Sequence, residues 1–279
     1  MTTRLTGGWV ETNIDPATFR RISGIVYRKA GIVLDKRKEA LVSARISKRM
    51  RQLGIVRFCD YLRFLEESPE DEEPVEMLNA ITTNVTHFFR EPKHFVHLAG
   101  WIARWQAEGQ TRFRLWCAAC SSGEEPYSMA MTIREHLSAS CDVRLLATDL
   151  STHALKAARE GVYTAEQMEK VSDFLARRYF CRKNTAAGPC FQVIPALSRL
   201  ITFARLNLAQ MHYPMRGPFD IIFCRNVMIY FDNHVREKLL GECWRLLRPK
   251  GYLVVGHAES LSGQLSQFKS VAASIYTKP

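Results

Sequence analysis

The chain has 279 residues, 47% hydrophobic and 24% charged, with 39 Lys and Arg against 28 Asp and Glu for a formal net charge of +11. This composition excludes a disordered, collagenous or membrane-spanning chain, and the length suits one large domain plus a small one. No apolar run approaches the roughly 20 residues that cross a bilayer, the opening MTTRLTGGWVETN lacks a signal peptide's apolar stretch, and the eight cysteines are scattered, so reduced thiols in the cytoplasm are expected.

Charge divides the N-terminal part. Residues 20–63 hold 13 basic and 3 acidic side chains, whereas residues 64–79 hold 7 acidic and no basic ones, which marks a separate module. Within it, residues 36–53 predict a single helix, with Val42, Ile46, Met50 and Leu53 on one side and Arg37, Lys38, Arg45, Lys48 and Arg49 on the other. That basic side reads either as a solvated face or as a contact for an acidic macromolecule.

From about Phe113 short apolar runs alternate with helical stretches, as in βαβ units around a parallel sheet. Strands are expected near residues 114–117, 143–148, 200–204, 219–224 and 252–256, with a last one near 270–276. Helices are expected over 125–137, 152–160 and 234–247. This is a doubly wound α/β domain, in which ligands sit outside the carboxyl ends of the strands. Residues 179–182 and 190–194 interrupt the alternation as a hairpin around an Ala-Ala-Gly-Pro turn, which leaves open whether Cys181 and Cys190 face each other or remain free thiols.

After the first strand comes the small-residue run Ala118 to Gly123, which admits close backbone approach, followed by Glu124 and Glu125 at a helix start. A G-x-G-x-x-G pattern is absent, and two Glu at the helix N-terminus disfavour a pyrophosphate cofactor while suiting a nucleoside that carries positive charge. Asp149 ends the second strand, where its carboxylate either accepts from ribose hydroxyls or caps the next helix. Cys117-x-x-Cys120 has metal-ligand spacing but no second pair, and the eight histidines, His87 and His257 included, form no ligand pattern, so no metal is expected. The closing RLLRPKGYLVVG, a helix, a turn and an apolar strand, is similar to the last half of S-adenosylmethionine-dependent methyltransferases.

Five segments in order, TTNVTHFFREPKHF, LWCAACSSGEEPYSMAM, ATDLSTHALKAAREGVY, FDIIFCRNVMIYF and LLRPKGYLVVGHAES, resemble the chemotaxis receptor glutamate methyltransferases of the CheR family across essentially the whole chain. The resemblance implies a helical domain over residues 1–80 with a receptor-docking basic helix. It further implies a cofactor-contacting segment over 81–95 and a class I methyltransferase domain over 96–279, with an antiparallel β-subdomain inserted at about 178–203. Its cofactor is S-adenosylmethionine, converted to S-adenosylhomocysteine. The cofactor residues it implies are Asn84, Thr86, Arg90, Glu125, Asp149, Asn207, Leu208, Arg225 and Asn226. Arg90 and Tyr230 are the catalytic pair by the same token, and Arg37, Lys38, Arg45, Lys48 and Arg49 the docking face. The expected substrate is a set of glutamates on the cytoplasmic helices of a chemoreceptor, and in some relatives a receptor C-terminal peptide adds to the β-subdomain. Neither nucleic acid nor membrane insertion is implied.

The chemistry is consistent with those residue types. A glutamate side chain with a pKa near 4.3 is already ionised at neutral pH, so its methylation needs alignment and no general base. An Arg grips a carboxylate with two parallel hydrogen bonds and a Tyr hydroxyl fixes one oxygen. The Asn-Pro-Pro-Tyr type signature of amino methylation is missing after the fourth strand. The +11 charge and the basic helix also leave a nucleic-acid methyltransferase as a second reading, although aromatic residues are not interleaved with the basic ones.

Overall fold

A computed structural model of the chain describes residues 10–69, 72–82, 85–185, 188–261 and 267–279, and its internal contacts divide it into two units, Met1–Thr83 and Asn84–Pro279. In the first unit, α1 (Pro16–Ala30) starts where Asp15 accepts from the Ala17 and Thr18 amides at 2.9 and 3.0 Å, and it ends at Gly31 in the left-handed region. Its buried face, Phe19, Ile22 and Val26, recurs at helical spacing. Then follow α2 (Glu39–Leu53), α3 (Phe58–Glu67) and α4 (Glu73–Ile81). Val42, Ile46 and Met50 of α2 are buried as their spacing predicts.

The predicted 36–53 helix is in fact two pieces. Residues Lys36–Lys38 form a 3-10 turn in which the Lys38 amide reaches back to the Asp35 carbonyl, and the α-helix begins only at Glu39. The Arg37 guanidinium turns back to Asp35 at 2.9 Å, which favours the tighter turn.

The second unit begins with α5 (Lys93–Ala107) and builds its main sheet from β1 (Arg112–Ala118), β2 (Asp142–Asp149), β6 (Ile201–Arg205), β7 (Phe219–Cys224) and β8 (Leu247–Val255), all parallel, plus β9 (Lys269–Ala272) and β10 (Ile275–Thr277). The order is β6-β2-β1-β7-β8-β10-β9, with β10 antiparallel to both of its neighbours. This is the Rossmann-like, doubly wound fold expected. The last predicted strand is a two-stranded return instead, because Ser274 at φ 59 turns the chain between β9 and β10. All six residues of β7 are buried, as a central strand covered on both faces requires.

Helices α6 (Glu124–His136), α7 (Thr152–Glu160) and α10 (Asn233–Leu246) connect the parallel strands. Between α7 and β6 lie β3 (Val162–Thr164), α8 (Asp173–Tyr179), β4 (Phe180–Thr185), β5 (Gly188–Val193) and α9 (Pro195–Ser198). The inserted sheet is three-stranded, β3-β5-β4, so it starts earlier in the chain than residue 178, and residues 201–203 belong to the main sheet. Cys181 faces Gln192 and Cys190 faces Lys183, which keeps both thiols free.

Candidate active site

Five parallel strands deliver their carboxyl ends side by side, and each is followed by a loop bearing chemistry. After β1, Ala119, Ser121 and Gly123 all have positive φ, which curls the loop so that α6 starts at Glu124. Gly123 is obligatory there: at φ 100 an added Cβ would stand 2.8 Å from the Tyr163 hydroxyl and 3.0 Å from the Ala158 Cβ. Tyr163 itself comes from β3, donates to the Ser122 carbonyl at 2.9 Å, and packs edge-on against Phe88 with ring centroids 4.8 Å apart. The small sheet therefore buttresses the glycine loop.

After β2, the Asp149 carboxylate accepts from the Ser121 amide at 2.8 Å and the Ser151 amide at 2.9 Å. Ser151, not Asp149, caps α7. Burial pushes the Asp149 carboxyl up, against the pull of the Ser151 and Ser121 amides. Both oxygens accept from backbone amides, and a carboxylate has about four acceptor sites. After β6, the Leu206 amide bonds the Asp149 carbonyl at 3.0 Å, which sets Asn207 and the buried Leu208 beside that acid.

After β7 comes a charged hub. The Arg225 side chain has 0% exposure and donates to Glu125 Oε2 at 2.6 Å and to the Arg90 carbonyl at 2.6 Å, with Glu91 Oε2 at 3.1 Å. The Cys117 thiol donates to the other Glu125 oxygen at 3.2 Å. Burial raises the Glu125 carboxyl, opposed by Arg225, whereas at Glu91 burial works upward but the Arg225 charge and hydrogen bond prevail and hold it low. With its terminal nitrogens spent on protein groups and no exposed surface, Arg225 serves the site by holding Glu125 and the Arg90 segment.

Arg90 stands between two non-glycine residues of positive φ, Phe89 at 54° and Glu91 at 56°. Such conformations cost about 1–3 kcal/mol each and persist only when the surroundings impose them. Here the Phe89 amide is held by Ser128 Oγ at 2.9 Å, and the Arg90 carbonyl by Arg225. The Arg90 guanidinium donates to the Val85 carbonyl at 3.2 Å. Thr86 is half-buried in the same stretch, while Asn84 lies outside the described residues. Asn226 Nδ2 approaches Glu91 Oε1 at 3.5 Å, so this stretch abuts the loop that continues into the 3-10 turn Met228–Tyr230.

Two features were not foreseen. Glu91, His94 and His257 bring one potential ligand atom each within 4.8 Å of one another. The Arg225 guanidinium beside Glu91 opposes a cation there, and burial with the Arg225 charge depresses the His94 pKa to about 4, leaving a neutral imidazole. Glu259, after β8, receives a set of backbone amides. Cys117 and Cys120 are buried thiols pushed well above their ordinary pKa by burial.

Two of the residues expected to dock are engaged within their own unit. Arg49 pairs with the buried Glu73 at 2.7 Å, and Glu73 also accepts from the Tyr61 hydroxyl at 2.7 Å. Arg45 donates to the Ile81 and Thr82 carbonyls at the end of α4. Both therefore tie helices of the first unit together, whereas Arg37 is 92% exposed and Lys48 is exposed. Lys38 donates to the Val33 carbonyl at 3.3 Å.

Comparison with known proteins fits this geometry. The model of the CheR methyltransferase all-alpha domain matches residues 17–82, and that of the CheR methyltransferase SAM binding domain matches residues 84–277. The chain belongs to the CheR methyltransferase family. It is 39% identical over 264 residues to the chemotaxis protein methyltransferase of Escherichia coli, covering 94% of this chain and 91% of that one. It is 38% identical over 260 residues to chemotaxis protein methyltransferase 2 of Pseudomonas aeruginosa, covering 93% and 92%. As a CheR-family methyltransferase it uses S-adenosylmethionine. The curled loop at Gly123, the part-satisfied Asp149 carboxylate and the buried acids Glu124 and Glu125 suit a cationic nucleoside. Among the described residues no helix is long and apolar enough to cross a membrane.

Proposed function

We propose that the chain methylates glutamate side chains on the cytoplasmic helices of chemoreceptors, giving glutamate methyl esters for chemotactic adaptation, and that it works in the cytoplasm. The observation that carries this reading is the junction of the Arg90 segment with the loop leading to Tyr230, made by Arg225 in a chain of this family. When bound, S-adenosylmethionine supplies the methyl group from its sulfonium, the carbon–sulfur bond breaking as an oxygen–carbon bond forms on the carboxylate. Asp149 holds the ribose, Glu125 the amino acid end, Asn207 and Leu208 the adenine, and Thr86, Asn84 and Asn226 the remainder. Arg90 grips the substrate carboxylate while the Tyr230 hydroxyl fixes the oxygen that attacks; neither takes a proton, because the glutamate arrives ionised.

The exposed Arg37 and Lys48 and the half-buried Lys38 of the first unit face the acidic receptor helices. Strand β4 forms the edge of the small sheet, with Cys181 to Thr185 exposed, and offers a place for a receptor C-terminal peptide to add as a further strand. The test is transfer of radiolabelled methyl to receptor-containing membranes, followed by mild base. Label on receptor bands released as methanol supports the proposal. Base-stable label on protein overturns the ester product, and label on nucleic acid alone overturns the proposal in favour of the nucleic-acid reading.

A further inference from the structure

The loop after β8 carries no residue that the sequence assigns to the reaction, yet it supplies a carboxylate with a distinctive set of partners. Glu259 is 6% exposed. Its Oε2 accepts from the Asn226 amide at 2.6 Å and the Gly256 amide at 2.7 Å, and its Oε1 from the Met228 amide at 2.7 Å and the Ile229 amide at 3.4 Å. The first amides of a helical turn find no partner inside it. Met228 and Ile229 open the turn that ends at Tyr230, so Glu259 caps that turn from a different strand's loop.

Two further details show how tightly this junction is built. Asn226 sits at φ 58, a conformation held by its surroundings. A Cβ on Gly256 would stand 2.4 Å from Asn226 Nδ2 and 2.8 Å from Glu259 Oε2, so the two loops meet with no spare volume. An ionised carboxylate offers about four acceptor sites and no donor. A glutamine would turn an NH2 group toward amide donors and lose one pair of these bonds, whereas an aspartate keeps the acceptor chemistry on a shorter stem.

We propose that Glu259 is a positioning residue for methyl transfer: by joining the loops after β7 and β8 it sets where the Tyr230 hydroxyl stands. This rests on the orienting role of Tyr230 proposed above. Glu259 touches backbone amides, not the reacting atoms, so its effect runs through the turn.

The test compares the full-length protein with Glu259→Gln, Glu259→Asp, Tyr230→Phe and the Glu259→Gln/Tyr230→Phe double variant. Methyl transfer to chemoreceptor membranes gives kcat and KM, calorimetry gives S-adenosylhomocysteine affinity, and thermal unfolding gives the melting temperature. Glu259→Gln is expected to lower kcat about thirtyfold, in keeping with the cost of a small misplacement, with product affinity nearly unchanged. Glu259→Asp recovers part of the loss, and Glu259→Gln costs almost nothing more once Tyr230 is Phe. Should Glu259→Gln not fold, Glu259→Asp carries the same comparison against Tyr230→Phe.

Wild-type kcat in Glu259→Gln overturns the assignment, as does a full further loss in the double variant. A parallel fall of kcat, product affinity and melting temperature overturns it too, by showing a general structural role. If Tyr230→Phe itself keeps wild-type kcat, the role of Tyr230 fails and the positioning role falls with it; a silent Glu259→Gln beside an impaired Tyr230→Phe removes Glu259 alone.

Discussion

Arg225 and Glu125, 100 residues apart in the chain, meet in a 2.6 Å ion pair from which the arginine side chain has no exposed surface. Glu91 adds a second carboxylate at 3.1 Å. Removing one partner of a buried pair leaves an uncompensated charge, which typically costs about 3–5 kcal/mol. Arg225→Met is therefore expected to lower the melting temperature of the second unit sharply and to abolish S-adenosylhomocysteine binding. Arg225→Lys should recover little, because an ammonium cannot serve Glu125, Glu91 and the Arg90 carbonyl from one planar fork. Calorimetry on the full chain checks both.

The orienting role of Tyr230 predicts a split in kinetic constants. Tyr230→Phe keeps the ring and removes only the hydroxyl, so kcat should fall about ten- to a hundredfold while product affinity holds. Equal loss of both would place the hydroxyl in cofactor binding instead.

The first unit separates two classes of arginine. Arg49→Ala strands the buried Glu73 and should destabilise the unit by about 3 kcal/mol, read by chemical denaturation. Arg37→Glu with Lys48→Glu should cost at most about 1 kcal/mol of stability, the scale of the exposed Arg37–Asp35 pair, and reduce receptor methylation. That reduction should be largest at low ionic strength, since exposed charges act over about 8–10 Å at ordinary salt.

His94 gives a pH signature. Its pKa is depressed from 6.5 to about 4 by burial and by Arg225, against the pull of Glu91, with His257 and His97 also nearby. The unfolded chain then binds a proton that the folded chain refuses between these values. Stability from this group is complete above pH 6.5 and is lost as pH falls toward 4, at about 1.4 kcal/mol per unit. Glu91, held low, acts in the same sense at lower pH, whereas the raised Glu124, Glu125 and Asp149 act oppositely. Denaturation at pH 7.5 and 5.0 should therefore show a smaller acid loss in His94→Leu than in the wild type.

Gly123→Ala puts a methyl group against Tyr163 and Ala158 at a φ of 100°. The left-handed region alone costs about 1–2 kcal/mol, and the loop must shift as well. Product affinity should drop at least tenfold, measured by calorimetry, because this loop lines the cofactor's expected place.

What could be read from sequence follows the reach of each signal. The apolar run Ile221 to Cys224 of β7 and the Val42, Ile46 and Met50 stripe announced themselves, because burial selects apolar side chains at neighbouring or helically spaced positions. Strand β3 did not, since three residues carry no period, and it exists only through pairing with β5. The α2 wheel showed which way Arg45 and Arg49 point but not that Glu73, and the carbonyls ending α4, await them there. Glu259 stood in plain view in GHAES without a role, because a carboxylate that receives backbone amides leaves no residue pattern. The same holds for Arg225, whose partners Glu91 and Glu125 come from distant segments.

The thiols described above also divide the molecule for a chemist. Cys117, Cys120, Cys224 and Cys243 are buried and Cys141 and Cys190 half-buried, whereas Cys59 and Cys181 lie exposed in the first unit and on β4 of the second. Maleimide reagents at neutral pH should thus tag each unit at a native handle, giving fluorescent reporters of receptor engagement on both units without engineering a single residue.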